Sequence, residues 1–414
     1  MSILTMHWTN LPKCACQIFC YVIGFIGCGS VSWCENLAEV AIKCLEVPEE
    51  YPSIQAAIDA AEDGETILIA PGVYHESLRI SGKSVILASW YLTTKETKYI
   101  KQTVLDGSIV PDPDPEDDID AVVDAVILIE PDAGPQTTIL GFTIRDGDDG
   151  ISCHAKSRIL FNHFVNNKDA IDYEGGGGEC RFNTFVANDD DAIDLDLACE
   201  VLVSNNILRD NDDDGIEIRL HDYEGPTLEI IIRDNTITGN GEDGIQVIDY
   251  PGHSDRRITI ERNLIAENAM AGIGFMSDGI TLEDYRGTTI PEPIALINNT
   301  ICRNSYGLSG GGNVQVINNL FVENLHTPLK NVNGTAKLSH NLLWENGAEP
   351  IDSDLKSGLL IREDPQLDET YKPFVGSLCI DRGTTQIELR SQKNVVHPQA
   401  FRGSAPDLGA FEIR

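Results

Sequence analysis

Residues 162–211 read NHFVNNKDAIDYEGGGGECRFNTFVANDDDAIDLDLACEVLVSNNILRDN. One phrase recurs in this stretch: an asparagine, any residue, an apolar residue, two further residues and a second asparagine. It starts at Asn162, Asn183 and Asn206, and returns beyond the stretch at Asn235, Asn263, Asn299, Asn319 and Asn341. Gly141 to Asp146 reads as a degenerate earlier copy. Successive starts lie 20 to 36 residues apart. A unit this short cannot bury an apolar face alone, so it must stack on its neighbours. Within each unit apolar and polar residues alternate as in strands, and none carries an apolar period of helix length. The chain is therefore expected to be a solenoid of short strands, an all-β right-handed parallel β-helix spanning 45–350. Asparagines at equivalent turns can form a ladder in which each side chain bonds the amide of the next coil, which makes them structural.

The front of the solenoid is also legible. Ser53 is placed to cap a helix from Ile54 through Ala61, with Ile54, Ala57, Ile58 and Ala61 on one face. Gly64 stands where that helix stops. Strands at 66–70, 78–81 and 84–88 follow, so the helix is expected to cap the apolar core that an open solenoid end would expose.

Composition narrows the function. The 414 residues hold 30 Lys and Arg against 66 Asp and Glu, a formal net charge of -36. That charge opposes binding to nucleic acid or to anionic membrane surfaces, both of which require a positive face. Near the start, Lys13 precedes an apolar run from Ile18 to Cys28, too short to span a bilayer and suited to a signal segment. Residues 1–32 are thus expected to direct secretion, with cleavage near Ser30–Ser32 or lipid attachment through Cys28, and the mature chain should lack a transmembrane segment. Of 11 cysteines, Cys14, Cys16, Cys20 and Cys28 lie in or before that apolar run, and the rest show no metal-like spacing. Cys34 and Cys44 could pair in an oxidising compartment, and the later ones read as small core residues.

Two stretches carry a family resemblance. YPSIQAAIDAAEDGETILIAPGVYHESLRISGKSVILAS, residues 51–89, resembles the opening of bacterial pectin-lyase-like β-helix proteins of the carbohydrate-binding and sugar-hydrolase group. DPQLDETYKPFVGSLCIDRG (364–383) with FRGSAPDLGAFE (401–412) resembles the terminal module of large secreted members, which implies a separate module over 351–414. The resemblance implies the fold and a carbohydrate ligand. It does not imply one reaction, since the group includes lyases, hydrolases, esterases, epimerases and non-catalytic surface proteins.

The chemistry must come from the coils. An Asp followed by Gly or Ala and then Ile recurs at Asp149, Asp169, Asp191, Asp214 and Asp243, and these Asp are read as bonding backbone at a turn. Beyond each inward Ile, strand alternation gives one outward column of Ser152, Asp172, Asp194, Glu217 and Gln246. A second holds His154, Glu174, Asp196, Arg219 and Ile248, and His221 lies one step further out. Coils stack at about 4.8 Å, and two carboxylates at that distance repel by roughly 3–4 kcal/mol at an effective dielectric near 20. Asp172, Asp194, Asp196 and Glu217 form an oxygen-only set suited to Ca²⁺. Insertions at 220–227, 249–256 and 283–293 follow the same strand in successive coils and should build a wall. Tyr173, Tyr223 and Tyr250, with His154, are candidate sugar contacts, with Tyr285 in the same Asp-Tyr-x-Gly pattern. Residues 111–124 read as an acidic solvated excursion.

Two functions fit. One is an enzyme that cleaves a polysaccharide. As a lyase it would use Arg219 or His221 to take the proton that a cation acidifies. As a hydrolase it would pair two of Asp194, Asp196, Asp214 and Glu217. The other is a non-catalytic cell-surface β-helix that binds glycan or serves the envelope.

Overall fold

The computed structural model describes residues 44–108, 125–277, 279–355, 359–389, 392–395 and 401–413. The targeting segment, Cys34 and the acidic stretch 111–124 lie outside them. Three long parallel sheets make up the body, of twelve, ten and twelve strands among the described residues. The chain visits them in rotation. Lys156–Leu160 lies in the first sheet, His163–Val165 in the third and Asp169–Glu174 in the second, before Gly177–Arg181 returns to the first. Each strand pairs with the strand one coil away, as in Ile151 with Ile171 and Phe164 with Phe185. Inward residues form one continuous core in which the Phe164 and Phe185 rings stack at 4.8 Å, the coil spacing itself. Cys153, Cys180 and Cys199 are buried in this core, and Cys302 and Cys379 in a smaller cluster. No helix among the described residues is long and apolar enough to cross a membrane.

The asparagine phrase yields two ladders rather than one. Asn162 N–H and Nδ2 both donate to Asn183 Oδ1, at 2.9 and 3.2 Å, and the same pair of bonds runs on through Asn206, Asn235, Asn263, Asn299, Asn319 and Asn341. The second asparagine of each phrase repeats the arrangement at the next corner, from Asn167 through Asn188 and Asn211 to Asn346. The first ladder also reaches one coil further back, but at Phe142, whose N–H donates to Asn162 Oδ1. The earlier copy therefore aligns Phe142 with Asn162, one residue later than the sequence phrase placed it, because that coil is one residue shorter. A left-handed residue precedes each ladder position: Phe161, Phe182, Asn205, Asp234 and Arg262 have φ between 52 and 59°.

At the front, Ile54–Ala60 is a helix with the Ser53 side chain accepting from Ala56 N–H, and Ile54, Ala57, Ile58 and Ala61 enter the main core. At the other end, residues from within 367–379 and 408–411 pack on the outer face of the third sheet. There Cys379 and Leu408 join Leu264, Cys302, Leu320 and Leu342. Side chains of the left-handed corner residues Asn298 and Asn318 donate to the Asp407 and Thr384 carbonyls and tie that segment down.

Asn206 and Asn235 are buried and bonded on both sides. Replacing either by Ala should lower unfolding free energy on the order of 1–3 kcal/mol, since buried partners in two coils are left unmatched. Urea titration of both variants checks this, and unchanged midpoints would remove the ladder from the account of stability.

Candidate functional site

The second sheet carries the site, and its register is the one expected from strand alternation. Ser152, Asp172, Asp194, Glu217 and Gln246 are successive partners, and the column continues through Gly274 and Ser309 to Lys330. Beside it Glu174 pairs with Asp196, and Arg219 with Ile248. The expectation of a solvent-facing cluster needs correction. Asp194 and Glu217 are only 5% and 2% exposed, because the side chains above and below cover them and Arg219 lies over them.

Arg219 is clamped by three carboxylates. Its Nη1 is 2.8 Å from Asp194 Oδ2 and 3.4 Å from Asp196 Oδ2, and its Nη2 contacts Glu217 Oε2. Burial opposes the guanidinium charge, but Asp194, Glu217 and Asp196 outweigh it and hold the proton more firmly than usual. His221 Nε2 is 3.5 Å from Asp196 Oδ1, and the His221 ring rests on Tyr250 with centroids 4.3 Å apart. Three coils earlier His154 repeats the theme: its Nδ1 lies 3.3 Å from Glu174 Oε2, and its Nε2 is 3.2 Å from Ser152 Oγ.

The Asp-Gly-Ile column bonds backbone, as read from the sequence. Asp169, Asp191, Asp214 and Asp243 each accept, through Oδ1, the N–H of the equivalent residue one coil on. Yet Asp191 does more than close a turn. Its carboxylate forms a group with Asp194 and Glu217 whose ligand atoms all lie within 4.8 Å of one another, and a second such group with Asp169 and Asp190. The expected cation set of Asp172, Asp194, Asp196 and Glu217 is thus only half assembled. Asp172 and Asp196 fall outside these groups, while Asp191 joins them from the turn side.

Tyr173 is not a sugar contact. Two residues beyond the inward Ile171, it also points inward and is fully buried beside Cys153, Cys180 and Cys199. Tyr223 and Tyr250 do stand on the outer wall. The insertion at 220–227 is itself largely strand, part of Tyr223–Arg233, which pairs with Ser254–Glu261 across a bulge. Arg256 locks this wall. It is 2% exposed, its Nη1 donates to the His221 carbonyl at 2.8 Å, its Nη2 contacts the Leu197 carbonyl, and its guanidinium covers the Tyr223 ring. Nothing in the spacing singles out Arg256, since insertions carry no period. Glu283 was equally hidden. A Cβ on Gly274 would lie 2.0 Å from Asp243 Oδ2 and 2.3 Å from Glu283 Oε2, so glycine in the column is what lets Glu283 of the third insertion close over Asp243.

Burial pushes these carboxyls up, and their neighbours push further. Asp172 rises to about 8 with Asp149, Glu174 and Asp196 adding repulsion. Glu217 rises to about 7, where Arg219 partly counteracts burial. Asp149 rises to about 7, and Asp191 and Asp194 rise well above the ordinary range.

A family model described as "Right handed beta helix region" matches residues 125–290. Among solved structures, the chain is similar to pectate lyase Pel9A at 15% identity and a TM-score of 0.56, over 87% of this chain and 91% of that one. It is also similar to the catalytic unit of a GH87 α-1,3-glucanase from Streptomyces thermodiastaticus strain HF3-3, at 16% identity and a TM-score of 0.43, over 75% and 64%. A third is the A-module of the Azotobacter vinelandii mannuronan C-5 epimerase AlgE4, at 14% and 0.38, over 76% and 93%. No curated protein sequence matches. The protein is a right-handed parallel β-helix, and its likeness to pectate lyase Pel9A is one of fold.

The raised carboxyls set a pH dependence. Each keeps its proton in the folded chain to a higher pH than in the unfolded chain, so the fold binds more protons across the window that ends near pH 8. Stability from these groups is complete below the ordinary carboxylate range and is lost as pH rises through 7 to 8. In the presence of a chelator the thermal midpoint should be higher near about pH 5 than near about pH 8, and a midpoint that climbs over this range would contradict the assignment.

Proposed function

We propose that this protein is a secreted carbohydrate-active enzyme that cleaves a polysaccharide on the acidic face of its second sheet, by proton abstraction and elimination. The observation that carries the reading is the His221–Asp196 pair at the rim of a carboxylate cluster whose only guanidinium, Arg219, is already clamped. Arg219, held protonated by three carboxylates, is unsuited to act as a base and serves instead as a fixed positive charge for an anionic sugar group. Asp196 faces His221 Nε2 and so favours the proton there, which leaves Nδ1 to accept the proton α to a uronate carboxylate. The C–H electron pair then forms the C4–C5 double bond, the C4–O glycosidic bond breaks, and the departing oxygen takes a proton from water. His154, Tyr223 and Tyr250 flank the track as sugar contacts.

The cluster fits a hard divalent cation such as Ca²⁺. Asp172 Oδ1 and Asp194 Oδ1 are buried with no hydrogen-bond partner among the described residues, and the donors are all oxygens. Asp191, Asp194 and Glu217 would hold it, and Asp169 and Asp190 form a separate group with Asp191. Bound there it would neutralise a uronate carboxylate.

Hydrolysis by Asp194 and Glu217 is the second reading. It is favoured by the closeness of their ligand atoms and by the proton that Glu217 keeps to about pH 7. Their burial beneath Arg219 counts against it.

A glycan panel that starts with uronans such as pectate, suggested by the fold likeness to pectate lyase Pel9A, tests the reading. Elimination should raise absorbance in the unsaturated-uronate band, whereas hydrolysis yields reducing ends without it. His221→Ala should lose turnover by about two to four orders of magnitude while melting normally. A wild type silent on every glycan would leave a binding or envelope protein. Separately, calorimetry should detect Ca²⁺ binding that an Asp194→Asn, Glu217→Gln double variant loses, and equal heats from both proteins would remove the cation site.

A further inference from the structure

A second place on the molecule has the features of a ligand site, and it lies on a different sheet. Where the C-terminal segment crosses the last coils of the third sheet, a cleft of about 630 Å³ opens between them. Trp344 reaches it from the sheet, at the outward position that pairs with Val322, and Tyr371 and Phe374 reach it from the segment. We infer that this cleft is a glycan-binding site for a neutral sugar chain, separate from the acidic face.

Three aromatic rings from two chain segments meet at one cleft, and an aromatic face is the surface on which the C–H face of a sugar ring packs. Phe374 is 56% exposed, which is costly for so large an apolar ring. Its exposure is held in place: Phe374 N–H donates to the Gln366 carbonyl at 2.9 Å, and the Phe374 carbonyl accepts from Ser377 N–H at 2.9 Å. A ring needed only to dock the segment would sit in the small apolar cluster beneath, as Trp344 and Tyr371 partly do, but Phe374 takes no part in it. The polar lining suits hydroxyl groups. Arg303 is fixed by Glu323 at 2.6 Å and lies over the Tyr371 ring at 5.4 Å, and Glu345 and Asp364 add carboxylates that accept from vicinal hydroxyls. Carboxylates outnumber the one guanidinium here, so a uronate would be repelled and a neutral sugar accepted. Such a site would hold a chain on the protein whether or not the acidic face turns it over.

The test reads binding, not turnover. Calorimetry on the intact protein would use cello-, manno-, xylo- and galacto-oligosaccharides, with oligogalacturonate as the anionic control. At least one neutral series should bind. Phe374→Ala and Trp344→Ala should each weaken it roughly tenfold or more, while His221→Ala leaves it unchanged. Phe374 stands on an exposed turn, so its variant should melt with the wild type and keep the test decisive if Trp344→Ala is unstable. The proposal is overturned if no neutral series binds, if the Phe374 variant binds as tightly as wild type, if oligogalacturonate alone binds, or if His221→Ala abolishes binding of the neutral sugar. None of these outcomes depends on whether the acidic face is catalytic.

Discussion

The structure depends on one hydrogen bond repeated from coil to coil, the asparagine side chain that accepts the preceding coil's amide. Its geometry requires a tight corner, and the corner is made by a single left-handed residue just before the ladder. For Phe161, Phe182 or Arg262 that conformation costs on the order of 1–3 kcal/mol each. Each buried asparagine makes two or three bonds worth about 0.5–1.5 kcal/mol apiece, enough to offset the strain. The corners are then equivalent, and every strand falls into register with the strand of the next coil. The three insertions all leave between the second and first sheets, where neither ladder runs.

The same stacking creates the acidic site. A register that aligns like residues also aligns like charges, and a column of carboxylates cannot ionise fully in a buried stack. This molecule answers with the Asp172, Asp194 and Glu217 carboxyls pushed above their ordinary range by burial, with one guanidinium laid across three carboxylates, and with a third ladder in which Asp191, Asp214 and Asp243 spend an oxygen on backbone. The groups left at the rim, His221 with Asp196 and His154 with Glu174, are the ones that solvent and a ligand can reach.

What the sequence disclosed follows from these periods. The asparagine phrase exposes the coil, and period-two alternation from each Ile places Asp172, Asp194, Glu217 and Gln246 opposite one another, as observed. The same alternation applied to Tyr173 would have put it in the core, but the Asp-Tyr-x-Gly pattern it shares with loop residues suggested otherwise. The left-handed corners were invisible because Phe and Arg occupy several of them where Gly or Asn would signal the conformation. Arg256 and Glu283 stand on insertions without a period, and their roles arise from contacts across coils. The cation group joins a turn residue, Asp191, to strand residues, and no single column contains it.

Gln246 ends the acid run, and Gly274 one coil further on admits Glu283. Along its column the outward residues pass from Ser152 through three acids to Gln246, Gly274, Ser309 and finally Lys330. The backbone beneath repeats at every coil, but this sequence of charges does not repeat. A strictly periodic track would offer a linear polymer the same footing at each step and let it slide. An aperiodic one on a periodic frame gives each coil a different charge, so a chain laid along the axis would meet unequal footing at each step. The ladder supplies the ruler, and the short run of acids marks where on it the measurement begins.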